Sequence, residues 1–234
     1  MLTNRSTTKE LIDLGPDFFS DEEYNECLGQ LFIINKLVGF FRHTVNLLTY
    51  FPKNASVIDI GCGSGLFLLH LSQYFPDMSM IGLDISPAAI AFAKAQRKQW
   101  FKKNSQLNVD FQLQSSDSLT LPANSVDIII TTLVCHHLDD ETLVTFLQQT
   151  LYTARLAVII NDLHRHIIAY WFYKIVSPLY TRNRLINHDG LLSIKRGFTR
   201  IELKRLLKKA GIHHYQISWG FPFRWTIILR KKQS

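Results

Sequence analysis

The chain has 234 residues, a formal net charge of +7 and 47% hydrophobic residues. That size and composition suit one globular α/β domain with appendages, large enough for a full core. Cys27, Cys62 and Cys135 form an odd set without metal-ligand spacing, which reads as reduced thiols in a cytoplasmic protein. The opening MLTNRSTTKELIDLG is too polar for a secretory signal, and no apolar run is long enough to span a membrane. Charge is uneven: from Lys195 onward there are eleven Lys or Arg and one acid, Glu202, so residues 1–194 carry about −3.

Residues 1–52 read as an N-terminal helical cap, with helical spacing from about Glu22 and again through Phe41 and Leu48. Residues 53–234 read as the core. A strand over 55–60 ends in Asp59-Ile60 and runs into Gly61-Cys62-Gly63-Ser64-Gly65, which opens a helix over 64–75 stopped by Pro76. A second strand over 78–84 ends in Asp84. Ser86-Pro87 is an N-cap followed by proline at the first helical position, starting a helix to about Lys103. Strands follow over 109–114 and 126–134, then a helix over 140–151 capped by Asp139, then a strand over 155–161. The stretch 166–180 is apolar and strongly aromatic, with one charge, Lys174; it reads as a buried helix, a lid over an apolar pocket or a surface resting on a membrane. Residues 183–198 read as a loop, with Asp189-Gly190 as a turn, so that 163–198 forms a substrate-cap insertion. Thr199 and Glu202 make a capping box for a helix ending at Gly211. Strands over 212–219 and 223–230 form a final antiparallel hairpin. The fold class is α/β: a Rossmann-like, mostly parallel seven-stranded sheet with helices on both faces.

The glycine turn is built to hold a nucleoside. Backbone N–H groups approach a ligand closely there, a helix N-terminus adds positive potential, and Asp84 can accept both hydroxyls of a ribose. The dinucleotide spacing G-x-G-x-x-G fails, because position 66 is Leu66 and the third glycine is Gly65. Asp59 directly before the loop suits an ammonium-bearing ligand and is awkward beside a pyrophosphate. The h-D-x-G-x-G-x-G run plus the distal acid resembles the first two motifs of the class I S-adenosylmethionine (SAM) methyltransferases. Phe111 to Asp117 and Asn124 to Asp140, with its L-V-C-H-H-L-D-D ending, resemble the strands that follow. The likeness covers roughly residues 55–162 and is similar to the type 11/12 group near the ubiquinone/menaquinone enzymes. The T-T-K-E-L-I-D-L-G, N-D-L-H-R-H and H-D-G-x-L-S-I-x-R-G-F-T-R segments resemble a bacterial subgroup associated with polyketide-like or aromatic lipid biosynthesis.

The resemblance implies SAM as cofactor, held by Asp59, Gly61, Cys62, Gly63, Gly65, Asp84, Ile85, Ser116, Asp117, Ser118, Thr132 and Leu133. His136 and His137 after the fourth strand and Asp162 at the end of the fifth lie on the ligand side of the sheet, where a His and Asp pair can form across adjacent strands. Some O-methyltransferases of this class use such a pair. His164, His166 and His188 are lesser candidates. No H-E-x-x-H pattern or cysteine cluster indicates zinc, no metal is assigned, and a His-plus-acid magnesium site is left open. The leading expectation is methylation of a small, apolar, aromatic hydroxylated acceptor. The alternatives are a tRNA or other nucleic acid methyltransferase using the basic C-terminal region, and a non-catalytic SAM-binding module. Peripheral membrane contact is the remaining partner reading.

Overall fold

The computed structural model describes residues 2–102, 108–114, 119 and 121–231. The apolar runs form one sheet of seven strands: β1 (Ser56–Ile60), β2 (Ser79–Asp84), β3 (Val109–Leu113), β4 (Val126–Thr132), β5 (Ala154–Leu163), β6 (Tyr215–Gly220) and β7 (Arg224–Leu229). They hydrogen-bond in the order β3-β2-β1-β4-β5-β7-β6, with β7 antiparallel to both β5 and β6. Strands covered on both faces need continuous apolar runs, and Ile128, Ile129 and Ile130 of β4 are all buried. The order reverses at β1, which pairs with β2 on one side and β4 on the other. In open α/β sheets ligands bind outside the carboxyl ends of the strands at such a reversal.

Helices α1 (Asp21–Leu37), α2 (Phe40–Leu48), α3 (Leu66–Ser72), α4 (Pro87–Phe101), α5 (Asp140–Thr153), α6 (Ile167–Tyr180), α7 (Arg184–Arg196) and α8 (Arg200–Lys209) complete the fold. On one face Phe40, Phe41, Phe67, Leu68 and Leu71 pack against Val57, Met80 and Ile128. On the other, Leu143 and Leu147 of α5 join Leu203, Leu206 and Leu207 of α8 over Ile58, Ile129 and Ile160. The basic segment therefore spends its apolar stripe in the core, and Arg205 and Lys209 pair with Asp140 and Glu141. The anticipated caps form: Ser86 accepts from the Ala89 N–H, Asp139 from that of Thr142, and Thr199 and Glu202 close a capping box.

Two expectations fail. Residues 184–196 are a helix and not a loop, and Asp189-Gly190 lies within it. Asn183 caps that helix by accepting from the Ile186 N–H, and Leu185, Ile186, Leu192 and Ile194 are buried. Gly190 serves close packing: a Cβ there would lie 2.1 Å from the Tyr173 hydroxyl. The turn reading failed because helix packing and not turn geometry requires this glycine. The aromatic stretch is a helix, α6, but only Ala169 and Ser177 are buried along it. Ile168, Trp171, Phe172, Ile175 and Leu179 face outward, so the buried-helix reading is wrong.

Phe111 fixes the glycine loop from below. It is wholly buried, and a Cβ at Gly82 would lie 2.6 Å from its Cδ1 and 2.9 Å from Cys62 Sγ. Gly82→Ala is expected to cost about 1–3 kcal/mol through overpacking. Phe111→Leu added to that variant should recover part of the loss. Thermal unfolding of both variants checks this, and an unchanged midpoint in Gly82→Ala would show that the contact is soft.

Candidate functional site

The carboxyl ends of β1, β2, β4 and β5 hold two groups of polar side chains. The first surrounds the glycine loop. Gly61, Gly63 and Gly65 all take positive φ, at 72°, 51° and 68°. The Gly61 and Cys62 N–H groups both donate to Leu83 O, which ties the loop to β2. Asp84 accepts from the Gly63 N–H at 2.8 Å and the Ser86 N–H at 2.9 Å. Helix α1 covers the loop: Leu28 Cδ2 lies 3.7 Å from where a Gly63 Cβ would be, and the Tyr24 hydroxyl meets Ser86 Oγ at 3.4 Å. The Cys62 thiol is packed inside, and burial raises its pKa far out of the reactive range, as a filler residue requires.

Asp59 is buried at the end of β1, and its Oδ1 has no hydrogen-bond partner. Burial, with the Asp84 charge nearby, pushes its pKa up to about 8. Burial also raises Asp84, against the pull of the Ser86, Gly63 and Ile85 N–H groups. Thr132 Oγ1 on the neighbouring strand β4 is likewise buried and unpartnered. Orphaned acceptors and hydroxyls at the strand ends are costly unless a ligand satisfies them. Two repelling carboxyls further favour a ligand with positive charge, which SAM carries at its ammonium and sulfonium. The residues present fit that cofactor. Leu133 takes φ +60°, a left-handed conformation unfavourable for a leucine, and donates its N–H to Asn161 O. This turn carries Val134 against Gly61, where an added Cβ would lie 2.3 Å from Val134 Cγ2. Ile85, 58% exposed beside Asp84, offers an apolar surface at the same edge. Ser116, Asp117 and Ser118 lie outside the described residues.

The second group brings together all three residues expected to be catalytic. His136 is 2% exposed; its Nδ1 lies 2.7 Å from Asp162 Oδ1, and its backbone N–H donates to Asp162 Oδ2 at 3.2 Å. His137 turns to a different acid, with Nδ1 2.8 Å from Asp13 Oδ1. The two rings are 4.2 Å apart between centroids. Both Nε2 atoms face Glu10, at 3.6 Å for His136 and 4.0 Å for His137.

Glu10, Asp13 and Arg196 complete this cluster, and the sequence reading missed them. Residues 2–13 run across the sheet ends as a strap. Arg196 donates to Thr8 O, to the carbonyls of His136 and His137, and to Asp13 Oδ2. Arg5 reaches Asp140 and the carbonyls of His136, Leu138 and Arg196. Arg165 holds the carbonyls of Leu2, Thr3 and Gly197 and pairs with Glu202. Asp189 accepts from the N–H groups of Leu11 and Ile12. The signal was present in the T-T-K-E-L-I-D-L-G and R-G-F-T-R segments, which contain Glu10, Asp13 and Arg196, but nothing local shows that they meet.

Burial raises Glu10, with the two histidines opposing it. Burial also works against ionised Asp13, but the hydrogen bond and charge of His137 overcome it and hold Asp13 low. The same pair, with Glu10, lifts His137 above its ordinary value despite burial. Asp162 stays low although fully buried, because His136 and the Leu163 N–H stabilise its charge. The lesser candidates have other tasks. His164 accepts from Trp219 Nε1, His166 caps α6 by accepting from the Ile168 N–H, and the exposed His188 pairs with Asp189.

Residues 57–154 match the family model of a methyltransferase domain. An uncharacterized methyltransferase from Schizosaccharomyces pombe is 31% identical over 96 residues, covering 40% of this chain and 34% of that one. The chain thus spans about a third of that relative's length. A ubiquinone biosynthesis O-methyltransferase from Coxiella burnetii is 28% identical over 175 residues, covering 72% of this chain and 71% of that one. The structure of human N-acetylserotonin methyltransferase in complex with SAM aligns with a TM-score of 0.64 at 20% identity, covering 92% of this chain and 57% of that one. It shares the fold.

Asp59 makes stability depend on pH. Its folded pKa, about 8, lies above the unfolded value of about 3.9, so the folded form binds the extra proton. The stability this confers is complete below about pH 4 and is lost as pH rises through about 8. Asp59→Asn has no such loss. Without ligand, the variant should gain on the parent chain between pH 5 and pH 8.5, by on the order of a few kcal/mol. Unfolding midpoints measured across that range check this, and parallel curves would refute it.

Proposed function

We propose that this chain, which carries a class I SAM-dependent methyltransferase domain, methylates an oxygen of a small, apolar, aromatic hydroxylated acceptor. The observation that carries the reading is the buried His136–Asp162 pair at adjacent strand ends, with its free ring edge turned to Glu10. When bound, SAM supplies an electrophilic methyl on a positively charged sulfur with a neutral leaving group. Asp59, Asp84, the three glycines of the loop and Thr132 would hold it.

The remaining work belongs to the chain's own side chains. They align the acceptor, exclude water and draw a proton from its hydroxyl. Asp162 fixes His136 through Nδ1, which leaves Nε2, on the Glu10 side, as the atom able to take the acceptor's proton. Asp13 does the same for His137. The strap and α1 close over these edges, which limits water. One similarity supports oxygen as the acceptor atom: the Coxiella burnetii relative, which matches over most of both chains, is named an O-methyltransferase. Arg205 and Lys209 are already engaged in ion pairs, which favours a small acceptor over nucleic acid.

Two substitutions separate binding from turnover. Asp84→Ala should weaken S-adenosylhomocysteine binding at least tenfold in calorimetric titration. His136→Ala should leave that affinity within about threefold while slowing methyl transfer to a phenolic acceptor by about 10²-fold or more. Transfer of labelled methyl to RNA but not to phenols or hydroxylated lipids would overturn the acceptor assignment. Undiminished affinity in Asp84→Ala would overturn the cofactor site.

A further inference from the structure

Glu10, His136 and His137 each present one ligand atom, and these atoms lie within 4.8 Å of one another. We propose that these three side chains bind a divalent first-row transition cation of the zinc type. Three observations carry this. First, both imidazoles are oriented as metal ligands are. Nδ1 of each is engaged by a carboxylate, at 2.7 Å for Asp162 and 2.8 Å for Asp13, and Nε2 of each is left facing the shared point. A carboxylate behind a ligating histidine fixes the ring and raises its basicity.

Second, Glu10 is 3% exposed and its Oε1 has no hydrogen-bond partner. A buried carboxylate oxygen without a donor is expensive, and a cation between the rings would satisfy it. The nearest fixed cation is Arg196, whose Nε lies 4.0 Å from that oxygen and donates instead to His136 O.

Third, carboxylates crowd the two imidazoles. Glu10, Asp13 and Asp162 gather on the rings, while Arg196 pairs with Asp13 and Arg5, which donates to His136 O, pairs with Asp140. A dication between the rings would neutralise Glu10 and Asp162, to which no guanidinium among the described residues donates a hydrogen bond. Protonating both rings would match them as well, but it would leave the Glu10 oxygen at 3.6 Å from its partner, beyond a hydrogen bond.

Two imidazoles and one carboxylate are the ligand set of open zinc and non-haem metal sites, which keep a position for an exchangeable oxygen ligand. Atoms 3.6–4.8 Å apart surround a point about 2.1–2.8 Å from each, against about 2.0–2.2 Å in a loaded site, so binding needs closure by less than about an ångström. A hydroxylated acceptor coordinated at the open position would be held and activated by the cation, which would then replace His136 Nε2 as the activating group; that role rests on the methyl-transfer reading, whereas the binding does not.

The test is titration of the untagged, chelator-treated full chain with Co²⁺, read by its visible absorption, followed by displacement with Zn²⁺. One equivalent should bind at micromolar or tighter affinity. Glu10→Gln and His137→Asn should each weaken it at least tenfold, and the surface variant His213→Gln should not change it. S-adenosylhomocysteine binding by the same samples verifies that each variant is folded and tests the cofactor site separately. Absence of a one-equivalent site, or a site indifferent to both variants in chains that still bind S-adenosylhomocysteine, would overturn the proposal and leave the cluster as an ion-pair lock. Metal binding without S-adenosylhomocysteine binding would uphold the metal site and sink the methyltransferase reading instead.

Discussion

A fully buried carboxylate at the end of β5 is the constraint around which the site is organised. Asp162 has no contact with water, and ionisation there is tolerable only with several strong partners. It finds them in His136 Nδ1 and the N–H groups of His136 and Leu163. Meeting that requirement positions the loop after β4. The His136 ring cannot rotate, the short helical turn of Cys135–His137 is pinned to β5, and His137 is carried to the outer side of the cluster. Removing Asp162 would thus do more than delete one acceptor. It would release the segment that sets both imidazoles.

The strap solves a second electrostatic problem. Residues 2–13 contribute backbone carbonyls and two carboxylates to a region that already contains Arg165 and Arg196, both buried. Those guanidiniums need acceptors, and the rest of the fold supplies too few. Arg196 uses two carbonyls of the β4 turn and takes Thr8 O and Asp13 from the strap. Arg165 takes Leu2 O and Thr3 O. Planar, multiply bonded guanidiniums suit this bridging because their donors point in fixed directions. The strap is therefore held chiefly by charge-assisted hydrogen bonds, and its opening would expose Glu10 and both ring edges together. Covering the histidine cluster and supplying Glu10 and Asp13 to it are one structural event.

The cofactor end and the cluster end are distinct in kind. Around Asp59 the unsatisfied groups are acceptors and hydroxyls on strand ends, held rigidly by β1, β2 and β4. Around Glu10 they sit on a turn and a strap. His137 is close enough to pull Asp84 toward ionisation, so the two ends share one electrostatic field. A cationic ligand beside Asp59 and Asp84 would lower both acids. Positive charge in the cluster acts in the same direction at Asp84.

The sheet, most of its helices and the glycine loop were legible because their signals are local: an apolar run ending in an acid, a glycine at each tight position, a cap before α4, α5 and α8. The His136–Asp162 pair was legible one level up, because parallel strands β4 and β5 must bring their carboxyl ends together. The loop reading of 184–196 failed where a local signal had two meanings. Asp189-Gly190 resembles a turn, yet Asp189 serves the strap and Gly190 makes room for Tyr173. Glu10, Asp13 and Arg196 were invisible for a more basic reason. Arg5 and Arg196 meet across 191 residues of chain, and no periodicity or capping rule relates a strap to a distant helix end. What joins them is the need of buried guanidiniums for acceptors, a requirement that exists only once the sheet has placed the arginines inside.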